Sequence, residues 1–291
     1  MPVRNGGALL GEVLAAVRAQ TVEAELVVAD TASTDGSAEL ARSFGAAVIA
    51  VERFSHSATR NLLMERTSGA YVAFLTQDAL PASDTWLEAL LSGFAAADDV
   101  ALVYGPSRAV PGAPRPIARE LDEWFGSDVR IDRTREPSGP GLETFFTSAN
   151  AAIARSAWAE VPFPDVAYAE DQALARAMLT AGYAKVYAPD AAVIHSHDYA
   201  ALAQFRRTFD EWRALHEVHG YVQPLEPLNT LLKLQSEVRK DLRGLPPRER
   251  LREAPRSVRH WTVRAAGSIA GSRAEKLPPR VREWCSLEKR S

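Results

Sequence analysis

The sequence predicts an α/β fold, a doubly wound and mostly parallel sheet with a helical extension at its carboxyl end. Three observations predict it. Helix-like and strand-like segments alternate through residues 8–105, and that order sets parallel strands side by side with right-handed helical crossovers between them. The run YVAFL at 71–75 is apolar without a break, as a strand covered on both faces must be. Beyond Tyr199 the pattern is helical, with Phe205, Phe209, Trp212 and Leu215 on one side.

Taken in order, residues 8–20 form a helix with Leu9, Val13, Leu14 and Val17 inward, and AELVVAD at 24–30 is a strand. STDGS at 33–37 starts a second helix, and AAVIAV at 46–51 is the next strand. A helix over 59–67 closes at Ser68-Gly69 before the strand at 71–75. Residues 83–97 are helical, and VALVYG at 100–105 is a strand. Residues 106–141 are rich in proline, an excursion of loops around one short helix at 119–125, and such segments serve as lids or substrate loops. Strand-like residues return at 143–154, a helix covers 171–181 before Gly182, and residues 183–197 hold two short strands.

The hydrophobic fraction of 46% and charged fraction of 24% belong to a globular protein. A single cysteine, Cys285, excludes an internal disulfide and a multi-thiolate zinc site, and fits a reducing compartment. No apolar run is long enough to cross a membrane, and no signal-peptide pattern opens the chain. The net charge of −3 hides an asymmetry, because residues 231–291 hold 16 Lys+Arg against 7 Asp+Glu, leaving 18 against 30 for residues 1–230. A basic tail on an acidic body suits an anionic surface such as lipid headgroups. Solvated helix faces edged with arginine are the plainer reading. Nucleic acid is not an expected partner, since no recognition motif accompanies the charge.

Ionisable groups gather where chemistry is expected. Ligands of open α/β sheets bind outside the carboxyl ends of strands, and there the sequence puts Asp30, Asp78, His195 and His197. Asp78 either starts the turn before Pro81 or, with an imidazole, offers an oxygen and nitrogen set for Mg²⁺ or Mn²⁺. Glu170 and Asp171 open a helix, either as simple caps or as a general base aimed at a cleft. His56, Arg60 and Asn61 surround another helix start. Arg60 faces a diphosphate or a pyrimidine carbonyl, or pairs on the surface with Glu65.

Together, PVRNGG at 2–7, VVADTASTDGS at 27–37, FSHSATRNL at 54–62, AYVAFLTQDALP at 70–81, AEDQALARAMLTAGY at 169–183 and HSHDY at 195–199 form an ordered set. FRRTFDEW at 205–212 continues it. With these motifs the chain resembles the inverting family 2 glycosyltransferases of the GT-A fold, most of all bacterial rhamnosyltransferases that use dTDP-L-rhamnose. The resemblance implies transfer of a sugar from a nucleotide-sugar donor to a hydroxyl of a glycan or lipid-linked acceptor, aided by Mg²⁺ or Mn²⁺. It implies that Asp30 reads the pyrimidine base and that Asn5, Arg60 and Asp78 belong to the donor site. Asp78 and His195 would hold the metal, with His197 the less favoured histidine. Asp171 would be the catalytic base, with Glu170 supporting it. It also implies a GT-A domain over 1–200, with a nucleotide-sugar half at 1–105 and an acceptor half at 106–200, and a basic helical extension over 201–291. The expected location is cytoplasmic and peripheral on the inner face of the cell membrane.

Two departures from the pattern stand out. The metal motif reads Thr76-Gln77-Asp78, with no first carboxylate. Only Met1 precedes Pro2, so the first central strand reads as truncated and the natural chain is expected to start upstream. A sugar-nucleotide-binding subunit of weak catalysis is the alternative that both departures motivate. A pyrophosphorylase of similar fold is disfavoured, because Asn5-Gly6-Gly7-Ala8 does not resemble its Gly-rich loop.

Overall fold

A computed structural model describes residues 1–136, 139 and 141–288. Pro137 and Pro140 of the proline-rich excursion, and Lys289 and Arg290 of the basic tail, lie outside the described residues. The chain divides into two compact units, Met1–Arg108 with Phe125–His195 and Ala109–Trp124 with Ser196–Ser291.

The first unit opens with the alternation the sequence predicts. Strand β1 (Pro2–Val3) leads to helix α1 (Gly7–Arg18), β2 (Val27–Asp30), α2 (Ser37–Ser43), β3 (Ala47–Ala50) and α3 (His56–Arg66). Helix α3 begins three residues earlier than expected because the Ser55 side chain caps it, accepting the Ala58 N–H. Next come β4 (Tyr71–Leu75), β5 (Leu80–Pro81), α4 (Trp86–Ser92), β6 (Val100–Tyr104) and β7 (Ser107–Arg108). Across the excursion lie α5 (Arg115–Phe125) and β8 (Arg130–Asp132). Helix α5 is longer than predicted, since Pro116 falls in its first turn, where the missing N–H costs nothing. Strand β9 (Asn150–Ala154), helices α6 (Arg155–Glu160) and α7 (Glu170–Ala181), and strands β10 (Ala184–Tyr187) and β11 (Val193–Ile194) complete the unit.

Among the described residues the strands form three ladders, in the orders β1-β2-β3, β4-β9-β6-β10-β8 and β5-β11-β7. The first ladder is wholly parallel, as predicted. The second is mixed: β9 runs antiparallel to both β4 and β6, while β10 lies parallel to β6. Every residue of β6, β9 and β10 is buried. Even Lys185 of β10 is enclosed, its ammonium held by Asp132 and by the carbonyls of Leu142 and Phe145. Burial of that charge is tolerable only because each of its donors is met.

The two-residue strand β1 pairs with β2 alone, and among the described residues no ladder joins it to β4. A strand so short presents few backbone groups. Instead the Gln77 side chain accepts the Arg4 N–H at 2.8 Å and donates to the Arg4 carbonyl at 3.2 Å, imitating one rung of a ladder.

In the second unit, residues 115–124 of α5 group with α8 (Ala201–His219), α9 (Pro227–Leu242), α10 (Pro247–Gly271) and α11 (Pro279–Cys285). Its apolar centre gathers Phe209, Ala274 and Cys285. Helix α10 approaches α8 so closely that a Cβ on Gly271 would lie 2.3 Å from the Phe209 carbonyl oxygen. Asp241 is fully buried and is satisfied by Arg119 Nε at 2.6 Å, Trp261 Nε1 at 2.7 Å and the Ser257 hydroxyl. Those bonds tie α5 to the hairpin of α9 and α10.

Gly105 closes β6 against the segment before β11. A Cβ there would stand 1.8 Å from the Ala191 carbonyl oxygen and 2.7 Å from Asn150 Nδ2. Backbone cannot yield as a side chain can, so Gly105→Ala should destabilise the protein by at least about 3 kcal/mol, measured by urea unfolding.

Candidate active site

The ends of β1, β2, β4 and β11, the start of α7 and helix α3 carry the candidate residues. Strand β2 ends on Asp30, which is 8% exposed, and one of its oxygens, Oδ2, accepts the Ser33 N–H at 3.1 Å. The other, Oδ1, is buried with no partner among the described residues. Asn5 follows β1; its N–H donates to the Ser33 hydroxyl and its Oδ1 accepts the Thr34 N–H, both at 2.9 Å. The two loops are further joined by the Gly7 N–H to Asp35. The Ser37 hydroxyl and the Gly7 N–H hold the Asp35 carboxyl below the usual range.

Among the described residues, three non-glycine residues have positive φ: Asn5 at 50°, Ala32 at 48° and Ala169 at 55°. Ala32 comes two residues after Asp30, and Ala169 immediately precedes Glu170. Left-handed backbone costs an L-residue roughly 1–2 kcal/mol, and such cost persists where neighbouring bonds over-determine the turn. All three lie in the predicted site.

Asp78 follows β4 and His195 follows β11. The two meet with His195 Nε2 3.4 Å from Asp78 Oδ1, side chains 20% and 30% exposed. The His195 N–H donates to the Arg108 carbonyl, which anchors it to β7. A carboxylate oxygen beside an imidazole nitrogen, both open to solvent, fits Mg²⁺ or Mn²⁺ with the remaining positions left for phosphate oxygens and water. The His197 ring stacks on that of Tyr199.

Helix α7 starts on Glu170 and Asp171. Asp171 Oδ2 accepts the Ser148 N–H at 3.0 Å and Oδ1 accepts the Gln172 N–H at 2.8 Å. Loss of water, and then the neighbouring Glu170 charge, push the Asp171 carboxyl up to about 6, against the pull of Arg60 and those N–H groups. Glu170, 3% exposed, pairs with Arg60 Nη1 at 2.8 Å, and the Ser148 hydroxyl donates to it at 3.4 Å. His56 Nδ1 lies 3.8 Å away on the other oxygen. Arg60 is therefore placed in the interior against Glu170, at 5% exposure, rather than on the surface.

Thus the structure brings Asp78 to His195, Asp30 to Asn5 through Ser33, and Arg60 to Glu170 and Asp171. Ser148 was not singled out from the sequence. Its one signal is the polar break Thr147-Ser148 just before β9. Reading β9 as another parallel strand hides its meaning, because only an antiparallel strand carries its amino end to the carboxyl edge of its neighbours. The register Leu75↔Asn150 and Tyr104↔Ala151 does so here.

Comparison with known proteins gives the family and the fold type. Residues 1–161 match the profile of "Glycosyl transferase family 2". Over 233 residues the chain is 33% identical to the O-antigen chain rhamnosyltransferase WbaN of Salmonella anatum, covering 77% of this chain and 73% of that protein. It is 32% identical over 220 residues to the O-antigen chain rhamnosyltransferase RfbN of Salmonella typhimurium, covering 72% and 69%. Among solved structures, the mannosyltransferase PcManGT of Pyrobaculum calidifontis, in complex with GDP-Man and Mn²⁺, aligns with a TM-score of 0.63 at 18% identity, over 93% of this chain and 85% of that one. That likeness bears out the GT-A type of α/β fold with a helical carboxyl region.

The buried pair yields a prediction. Arg60→Gln leaves Glu170 enclosed and uncompensated, so it should cost about 3–5 kcal/mol of unfolding free energy at pH 8. Replacing both partners, Arg60→Gln with Glu170→Gln, should recover at least half of that loss in the same urea titration.

Proposed function

Because the chain belongs to glycosyl transferase family 2, we propose that it transfers L-rhamnose from dTDP-rhamnose to a hydroxyl of a glycan or lipid-linked acceptor, with inversion. Asp171 is the observation that carries this reading. It is one carboxylate, oriented by the Ser148 N–H and its own helix, whose affinity for a proton is raised to about 6. A base of that strength is ionised at neutral pH yet accepts a proton as the new bond forms.

Direct displacement requires no covalent nucleophile. The acceptor oxygen attacks the anomeric carbon while its proton passes to Asp171, and the bond from that carbon to the diphosphate breaks. The nucleoside diphosphate departs with the electron pair, leaving the anomeric centre inverted. Asp78 and His195 would hold a divalent cation, whose charge, when bound, neutralises the leaving diphosphate. Asp30 would accept the pyrimidine N3–H on Oδ1, the oxygen that is buried without a partner. Arg60 pairs with Glu170 and so holds the start of α7 in place. The choice of rhamnose is supported by the two O-antigen relatives, and that of the dTDP carrier by the motif resemblance.

Calorimetric titration of dTDP, UDP and GDP, with and without Mn²⁺, tests the donor. Binding that prefers dTDP, needs the metal and is lost in Asp78→Asn supports the reading, and an absence of nucleotide binding overturns it. With dTDP-rhamnose and a glycan acceptor, kcat/KM should fall about tenfold per pH unit below about 6 and level off above it. Asp171→Asn should lower kcat by about 10²–10⁴-fold with dTDP affinity unchanged. Nucleotide binding without turnover would favour the alternative, a binding subunit.

A further inference from the structure

The carboxyl unit exposes an apolar ridge that the transfer chemistry does not use. On α9, Leu228, Leu231 and Leu232 are 69%, 50% and 54% exposed. Their spacing of three and four residues puts them on one face. Four turns on from Leu228, Leu242 returns to that face. It helps to line an open trough with Pro247, Leu251, Ala254, Pro255 and Val258 of α10. Leu251 is 80% exposed, the most exposed large apolar side chain among the described residues.

Cations border this ridge. By the helical period, Arg248, Arg252 and Arg259 fall on one flank of the Leu251 stripe and Arg250 on the other. Arg259 lies 3.5 Å from Asp198. Among the described residues, Arg248, Arg250 and Arg252 pair with no carboxylate. Exposed leucines with arginines on both flanks are the composition of a helix that lies in a membrane interface, its apolar side among acyl chains and its cations among headgroups. No helix among the described residues is long and apolar enough to cross a membrane, so the contact is one of adsorption.

We infer that the ridge formed by α9 and α10 docks the protein on an anionic lipid bilayer. A second copy of this chain fits the ridge less well, since a twofold contact would set the same arginines against one another. Nucleic acid would meet the arginines and leave the leucines in water. The inference stands on charge and exposure in this unit and does not depend on the identity of the sugar donor.

The test is co-sedimentation of the full chain with vesicles of phosphatidylcholine alone and of phosphatidylcholine mixed with phosphatidylglycerol. The protein should partition onto the anionic vesicles, and added salt should weaken that partition. Two exposed variants probe the two halves of the surface, the triple reversal Arg248→Glu, Arg250→Glu, Arg252→Glu and the pair Leu228→Asp, Leu251→Asp. Each should reduce partition by at least about tenfold, with nucleotide binding and circular dichroism unchanged. No partition onto anionic vesicles, or partition equal in the parent and both variants, overturns the inference. So does sedimentation equilibrium showing that the leucine pair only dissociates a dimer.

Discussion

Glu170 and Asp171 stand next to each other at the start of α7, and two adjacent carboxylates in an enclosed place repel. The Arg60 guanidinium is buried beside them and pairs with Glu170. What is left of the repulsion, added to the loss of water, raises Asp171 toward neutrality. The affinity of Asp171 for a proton is thus set by its burial and its charged neighbours rather than by its residue type alone. The same ion pair fixes α3 against the beginning of α7, so the helix that presents Asp171 and the helix that steadies it are joined.

At the candidate residues the backbone is held in costly shapes. Asn5, Ala32 and Ala169 sit in left-handed conformation, Ala32 two residues after Asp30 and Ala169 just before Glu170. The bonds that pay for them cross between loops: Asn5 to Ser33 and Thr34, and Gly7 to Asp35. Such turns hold Asp30 with one oxygen committed to the Ser33 N–H and the other buried without a partner among the described residues.

The carboxyl unit follows a different economy. Its interior spends polar side chains on cohesion, with Asp241 gripped by Arg119, Ser257 and Trp261, and Glu120 joined to His260 and Arg264. Apolar residues that would ordinarily fill a core stand outside on α9 and α10. A helix hairpin cohering through buried ion pairs can leave its leucines free for a surface.

By itself the sequence determined the alternation of helices and strands, the strand-end positions of Asp30, Asp78 and His195, and the acidic start of α7. These follow from local periodicity and turn chemistry, which any stretch of chain carries within a few residues. The motif set made the family legible for the same reason, and residues 1–161 match it. Only the tertiary structure decided that β9 runs antiparallel and delivers Ser148 to Asp171, that Arg60 turns inward to Glu170 across more than a hundred residues, and that the basic helices leave their leucines outside. Strand direction, ion-pair choice and the exposed face of a helix depend on what arrives from elsewhere in the chain, and no local pattern encodes that.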